Sequence, residues 1–138
     1  MIQKIEHLGI AVKDLEASLQ VFEALLNTTH YKVERVEREG VSTAFLKLGE
    51  SKIELLQATN ETSAIAKHIV KRNEGIHHIA LAVDDIDAEM KRLAALGFEL
   101  LHPEPLAGAD GKLICFLHPK TTNGVLVELC MDKEAITN

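Results

Sequence analysis

Two stretches of the chain repeat the same order of apolar and polar residues. KIEHLGIAVKDLEA (4–17) can be laid over GIHHIALAVDDIDA (75–88), so that His7 falls on His78 and Asp14 on Asp85. Each stretch starts with the alternation of a short strand and continues into the periodicity of a helix. The pattern predicts a duplicated module with a histidine at the same place in each copy.

The first half continues as one helix and three strands. After a strand at 5–12, DLEASLQVFEALLN (14–27) predicts an amphipathic helix that Asp14 can cap. Three strands follow at 31–37, 42–49 and 51–58, and LGES reads as a hairpin turn between the last two. The apolar residues that we expect on the buried face of the helix are Leu15, Leu19, Phe22, Leu25 and Leu26.

The second half repeats this order. A strand at 76–83 precedes a helix at 85–97 that ends at Gly97. FELLH (98–102), KLICFLH (112–118) and GVLVELCM (124–131) predict the three remaining strands. Residues 59–74 join the halves and contain a short helix within 62–72. Its expected inward residues are Ile65, Ile69 and Val70.

Alternation along the strands assigns side chains to faces. In the first strand Leu8, Ile10 and Val12 should pack on the helix, which leaves His7 on the other face with Gly9 and Ala11. In its counterpart Ile79, Leu81 and Val83 face the helix, and His78 shares the opposite face with Ala80 and Ala82. Small residues beside each histidine leave room for a ligand.

The last strand of each half adds a glutamate to the same face. Glu54 lies opposite Ile53 and Leu55, and Glu128 lies opposite a face made by Val125, Val127 and Leu129. A single strand histidine is more often structural, and a single strand glutamate usually marks a solvated face. The repetition of both residues favours a metal site made by His7, Glu54, His78 and Glu128. Two nitrogen and two oxygen donors suit Co, Mn, Ni, Fe or Zn.

These observations define the expected fold class. We predict an α+β fold of two tandem β-α-β-β-β modules with pseudo-two-fold symmetry, forming a curved mixed sheet around a metal-binding cup. One domain spans 1–138, with module 1 at about 4–58, the linker at about 59–74 and module 2 at about 75–131.

Composition narrows the classes of partner. The net charge of −6 argues against nucleic acid and anionic membranes as partners. No apolar run approaches the length of a membrane helix, and the early first strand leaves no room for a signal peptide. We expect a cytoplasmic protein in which Cys115 and Cys130 are buried, reduced thiols, with a disulfide as the less favoured alternative.

Other histidines are assigned less specifically. His77 has the wrong parity for the ligand face and is expected behind the ligands or in the core. The remaining four have no counterpart in the other half and stay unassigned: His30, His68, His102 and His118.

The paired modules with their His/Glu set resemble the vicinal oxygen chelate superfamily, which includes glyoxalase I and bleomycin-resistance proteins. Within it the chain is most similar to the methylmalonyl-CoA epimerase family, over nearly its whole length. The most specific segments are EGIHHIALAVDDIDA and FLHPKTTNGVLVEL.

The resemblance implies an enzyme that interconverts (R)- and (S)-methylmalonyl-CoA through an enolate stabilised by a divalent cation. It implies the same four metal ligands, with Co²⁺ as the expected ion and Mn²⁺, Ni²⁺, Zn²⁺ or Fe²⁺ as alternatives. Glu128 and then Glu54 are the candidates for proton transfer, and Lys112 and Lys120 for binding of the coenzyme A phosphates; for the two lysines, an ordinary turn or surface role is an equal alternative. A homodimer is also expected.

One position departs from the family pattern. Certain epimerases carry a catalytic glutamate shortly after a Gly-Val pair, where this chain has Thr43. This difference argues against a symmetric proton exchange between two glutamates. Two other functions stay open: a glyoxalase-type lyase acting on a glutathione thiohemiacetal, and a ligand-sequestering binding protein. The complete set of four ligands counts against the binding protein.

Overall fold

The order of secondary structure elements is β-α-β-β-β, given twice. The structure, a computed structural model, describes residues 1–136, so the last two residues of the expected 1–138 domain lie outside it. The helices are α1 (Leu15–Leu26), α2 (Ala64–Arg72) and α3 (Ile86–Ala95). The strands are β1 (Ile2–Ala11), β2 (Lys32–Val36), β3 (Val41–Leu48), β4 (Ser51–Ala58), β5 (Gly75–Val83), β6 (Leu106–Ala107), β7 (Lys112–Leu117) and β8 (Val127–Asp132). The predicted order of elements is confirmed.

The chain forms two compact units. The first unit is His7–His77, and the second combines residues 1–6 with the chain from His78 onward. Single-turn 3-10 helices occur at Glu37–Glu39 in the first unit and at Pro119–Thr121 in the second, which also has one at Lys133–Ile136. Among residues 1–136, no helix combines the length and apolar character needed to cross a membrane.

The strands of the first unit lie in the order β2-β3-β4-β1. β1 pairs with β4 in parallel, and the other two pairings are antiparallel. Gly49 has φ +62° in the turn between β3 and β4, which is the expected hairpin. Glu54 is thereby held beside β1, the strand that carries His7.

The α1 helix covers one face of the first unit's strands. Asp14 Oδ1 accepts a hydrogen bond of 3.1 Å from Ala17 N and caps the helix as expected. Leu8, Ile10 and Val12 of the β1 segment join this apolar cluster, which confirms the predicted strand parity. Leu25 is 71% exposed, so its expected burial is wrong. It follows the stripe Leu15, Leu19, Phe22 and Leu26 off the buried side of the helix.

The α2 helix packs against the other side of the same strands. Ile65 contacts a cluster that contains Ala11, Val41 and Leu56. The expected inward position of Val70 is wrong, because this residue is 88% exposed. Ile69, four residues after Ile65, already completes the inward stripe, and the next residue points away from it.

In the second unit, β5 pairs in parallel with β8, followed by β7 and β6 in antiparallel order. The apolar face of α3 packs on these strands through Ile86, Met90 and Leu93. The helix ends at Ala95, and Gly97 has φ +96° just beyond it, as its sequence position predicts.

Two strand boundaries in the second unit differ from expectation. FELLH forms no strand; Leu100 makes a single bridge to Leu117, and the short strand β6 occurs at Leu106–Ala107 instead. Pro103 and Pro105 lack backbone N–H groups and interrupt pairing between these points. The last strand begins at Val127, so Val125 precedes it: Val125 N donates to Thr122 O within a turn.

Candidate metal centre

The first unit brings His7 and Glu54 together. His7 is 4% and Glu54 is 6% exposed, and His7 Nδ1 lies 3.0 Å from Glu54 Oε2. The two residues belong to the parallel pair β1 and β4, where Glu54 lies beside Gly9. Gly9 has no side chain to cover the pair. Both side chains lie on the face opposite α1, where strand alternation predicted them.

The second unit brings His78 and Glu128 together in the corresponding strands. Glu128 of β8 lies beside Ala80 of β5, and His78 Nε2 is 3.9 Å from Glu128 Oε2. His78 is 5% and Glu128 is 6% exposed. The Phe116 ring meets the His78 ring edge to face, with 5.7 Å between centroids. The second pair thus has an apolar wall on one side.

The donor chemistry of each pair fits a divalent metal ion. A carboxylate removed from water is costly unless a cation or hydrogen-bond donors surround it. Ligand bonds of about 2.1 Å put neighbouring donor atoms about 3 to 4 Å apart around one ion, and both pairs lie in this range. Each unit therefore supplies one imidazole and one carboxylate suited to Co²⁺, Mn²⁺, Ni²⁺, Zn²⁺ or Fe²⁺. Their joint binding of one ion stays a prediction.

A buried lysine beside Glu54 was not singled out from the sequence. Lys52 Nζ lies 3.9 Å from Glu54 Oε2, and its side chain is 9% exposed. Strand alternation could have identified it, because residues two apart in a strand share a face. Lys52 therefore adds a positive charge to the carboxylate side of the first pair.

Thr43 occupies the position of the glutamate expected in certain epimerases. It is 1% exposed in β3, two residues before Phe45, which pairs with Glu54 across β3 and β4. A buried hydroxyl thus lies on the Glu54 face of the strands. Glu39, in the turn before β3, is a further carboxyl: burial raises its pKa, Arg38 opposes this, and the charge of Glu54 adds to it.

The two lysines expected to bind phosphate each form an ion pair. Lys112 Nζ lies 2.5 Å from Asp132 Oδ1 and 3.7 Å from Glu6 Oε1. Lys120 Nζ lies 2.6 Å from Glu99 Oε2. The LAGADGK segment that precedes Lys112 includes β6 and a tight turn, in which Gly108 N donates to Lys112 O. Both ammonium groups have anionic neighbours.

His77 lies beside His68 and away from the ligand face. Their rings meet edge to face with 5.0 Å between centroids. Burial lowers the pKa of His77 to about 4, and the charge of His68 contributes in the same direction. His77 is thus half-buried and holds a proton poorly, in agreement with its expected place off the ligand face.

The remaining histidines and the cysteines have local roles. His30 Nδ1 lies 3.0 Å from Glu23 Oε2, and His118 Nδ1 accepts a hydrogen bond from Lys120 N. Cys115 and Cys130 are buried free thiols, which confirms that prediction, and burial raises the pKa of Cys115.

Comparison with known proteins identifies the class of protein. A model of the Glyoxalase/Bleomycin resistance protein/Dioxygenase superfamily matches residues 6–116. The chain is 42% identical over 131 residues to an ethylmalonyl-CoA/methylmalonyl-CoA epimerase of Cereibacter sphaeroides, covering 94% of this chain and 98% of that protein. It is 40% identical over 130 residues to the mitochondrial methylmalonyl-CoA epimerase of Dictyostelium discoideum, covering 93% and 78%.

A solved structure agrees with this result. A variant of Streptomyces coelicolor methylmalonyl-CoA epimerase in complex with 2-nitronate-propionyl-CoA has a TM-score of 0.92 at 38% identity, over 96% of each chain. The chain belongs to the glyoxalase/bleomycin resistance protein/dioxygenase superfamily and, within it, to the methylmalonyl-CoA epimerase family. The members of that family are enzymes, and the predicted α+β fold class and family resemblance are both confirmed.

Proposed function

We propose that this protein interconverts (R)- and (S)-methylmalonyl-CoA, with one divalent cation bound by His7, Glu54, His78 and Glu128. The observation that carries the proposal is the recurrence of a buried His/Glu pair at matching strands of each unit. The similarity to epimerases over nearly the whole chain supports the substrate class. Co²⁺ is the first candidate for the ion.

The reaction moves one proton at the carbon between a thioester and a carboxylate. A bound divalent ion supplies Lewis-acid stabilisation for the enolate oxygen. Glu128 is proposed to take the α-proton and return it, with Glu54 as the second candidate, because each is a buried carboxylate on the ligand face. Thr43 has a hydroxyl where the second glutamate is expected, so it does not replace that base.

The rest of the substrate requires cationic groups. We propose that Lys112 and Lys120 bind coenzyme A phosphates by exchanging their present partners, Asp132 and Glu99, for phosphate oxygens. Phosphate carries more charge than one carboxylate, which favours this exchange. A homodimer and a cytoplasmic location remain part of the proposal.

Exchange of the α-proton with solvent tests the activity directly. Methylmalonyl-CoA is incubated in deuterated water with metal-free protein, with the Co²⁺-loaded protein and with the loaded protein plus chelator, and the α-proton signal is followed by NMR. We expect fast loss of the signal only in the loaded sample. Equal rates in all three samples exclude the metal-dependent epimerase. Turnover of a glutathione thiohemiacetal in its place supports the lyase alternative.

A further inference from the structure

Lys52 is a buried cation beside the His7–Glu54 pair. Its side chain is 9% exposed, and it lies opposite His7 in the parallel pairing of β1 with β4. Lys52 Nζ is 3.9 Å from Glu54 Oε2, which is an ion pair longer than a hydrogen bond. The ammonium also lies 5.7 Å from the centroid of the Phe45 ring.

The position of this charge is costly without an anion close by. An ammonium removed from water is stabilised only by compensating charge or hydrogen bonds. The same Oε2 atom of Glu54 already lies 3.0 Å from His7 Nδ1. A divalent ion held by His7 and Glu54 uses the carboxylate charge and adds positive charge next to Lys52. The local field then favours an additional anion.

Comparison with Lys32 separates Lys52 from an ordinary strand lysine. Lys32 Nζ lies over the same Phe45 ring, at 5.1 Å, but its side chain is 39% exposed. Glu34 on the same strand neutralises it at 3.2 Å, and water screens the pair. Lys52 has neither this exposure nor a carboxylate at that distance among its ion pairs.

We propose that Lys52 is a specificity-determining residue that binds the acyl carboxylate of the substrate, so that the site selects carboxylated acyl-CoA thioesters over neutral ones. This inference rests on the proposed function. Coenzyme A phosphates are the less suitable partner, because the pantetheine arm separates them from the thioester that meets the ion. Lys52 is within reach of the ion-binding atoms themselves.

Equilibrium binding by calorimetry tests the assignment. The Co²⁺-loaded protein is titrated with malonyl-CoA, which carries the carboxylate, and with propionyl-CoA, which is similar in size and neutral. We expect Lys52→Met to weaken malonyl-CoA binding by about tenfold or more and to leave propionyl-CoA binding within about twofold, because only the first ligand loses a desolvated ion pair. Lys52→Arg should retain most of the preference, because it keeps the charge.

Two controls separate this role from a structural one. Lys47→Met makes the same substitution at an exposed residue opposite Lys52 on β3, and it should leave both affinities within about twofold. Co²⁺ affinity of Lys52→Met, measured without thioester, should equal or exceed that of the wild type, because a nearby positive charge is removed.

Several results overturn the inference. Equal weakening of both ligands in Lys52→Met, or unchanged binding of malonyl-CoA, excludes carboxylate recognition by Lys52. Wild-type protein that binds the two thioesters equally also excludes it, even when α-proton exchange is fast and the proposed epimerase activity holds. Absence of exchange in the wild type instead removes the proposed function itself.

Discussion

His7 Nδ1 lies 3.0 Å from Glu54 Oε2 across the parallel strands β1 and β4, and both side chains are almost completely buried. An imidazole and a carboxylate held in this way need little reorganisation to become ligands of one ion, because the strands already determine their separation. The pair therefore makes ion binding testable separately from catalysis.

Loss of one imidazole should weaken ion binding. For His7→Gln we expect Co²⁺ affinity, measured by calorimetry on metal-free protein, to fall by on the order of 100-fold, since removing even a group that only orients a ligand costs 10- to 100-fold. The matched change His30→Gln, at a histidine paired with Glu23, should leave the affinity unchanged. Equal affinities for wild type and His7→Gln would remove His7 from the ligand set.

Loss of the proposed base should slow proton exchange more than it weakens substrate binding. For Glu128→Gln we expect the kcat of α-proton exchange to fall by about 100-fold or more, the usual contribution of a general base. The rate is measured by NMR at matched metal content. Glu61→Gln, at an exposed glutamate, is the control. Near-normal exchange in a metal-replete Glu128→Gln sample contradicts the assignment.

The proposed phosphate contacts should appear in KM. Lys112→Ala and Lys120→Ala are each expected to raise the KM for methylmalonyl-CoA about threefold to tenfold with little change in kcat, because one charge-assisted contact to a remote part of the substrate is lost. The same substitution at Lys71, an exposed lysine of α2, serves as the comparison. Unchanged KM in both variants assigns these lysines to their ion pairs alone.

His77 should make the metal-free protein less stable in acid. Its folded-state pKa is about 4, below the unfolded value of about 6.5, so the unfolded state binds more protons between these values. The free energy of unfolding should therefore rise with pH from about 4 to 6.5, by at most about 3 kcal/mol from this group. His68 and Arg72 add to the positive charge near α2 in acid.

Urea denaturation followed by circular dichroism at several pH values measures this dependence. His77→Asn should flatten the slope between pH 4 and 6.5, whereas His30→Asn should keep it. A slope that survives in His77→Asn assigns the acid sensitivity to other groups.

Gly40 should tolerate alanine less well than Gly49. Both have positive φ, +64° and +62°, so each substitution carries backbone strain of about 1 kcal/mol. A Cβ on Gly40 would lie 2.6 Å from Asn60 Nδ2 and 2.9 Å from Ser63 Cβ, whereas a Cβ on Gly49 meets nothing within 4 Å. We expect Gly40→Ala to cost about 2 kcal/mol or more and Gly49→Ala about 1 kcal/mol in denaturation experiments. Equal losses would show that backbone strain alone decides the cost.

The sequence by itself determined the order of elements and the faces of the strands. Strand alternation is local, so it correctly put His7 and Glu54 on the face opposite α1, and the repeat did the same for His78 and Glu128. Helix boundaries followed for a similar reason, because the cap at Asp14 and the stop at Gly97 depend on nearby residues.

Only the tertiary structure decided which neighbours each side chain meets. Leu25 and Val70 are apolar but exposed, because the width of the packed face, and not hydrophobicity, selects the buried residues of a helix. The pairing partner of Leu100 and the place of β6 depend on β7, which is distant in the chain. The burial of Lys52 beside Glu54 likewise arises where β4 pairs with β1, since electrostatic contact depends on distance in space and on exclusion of water.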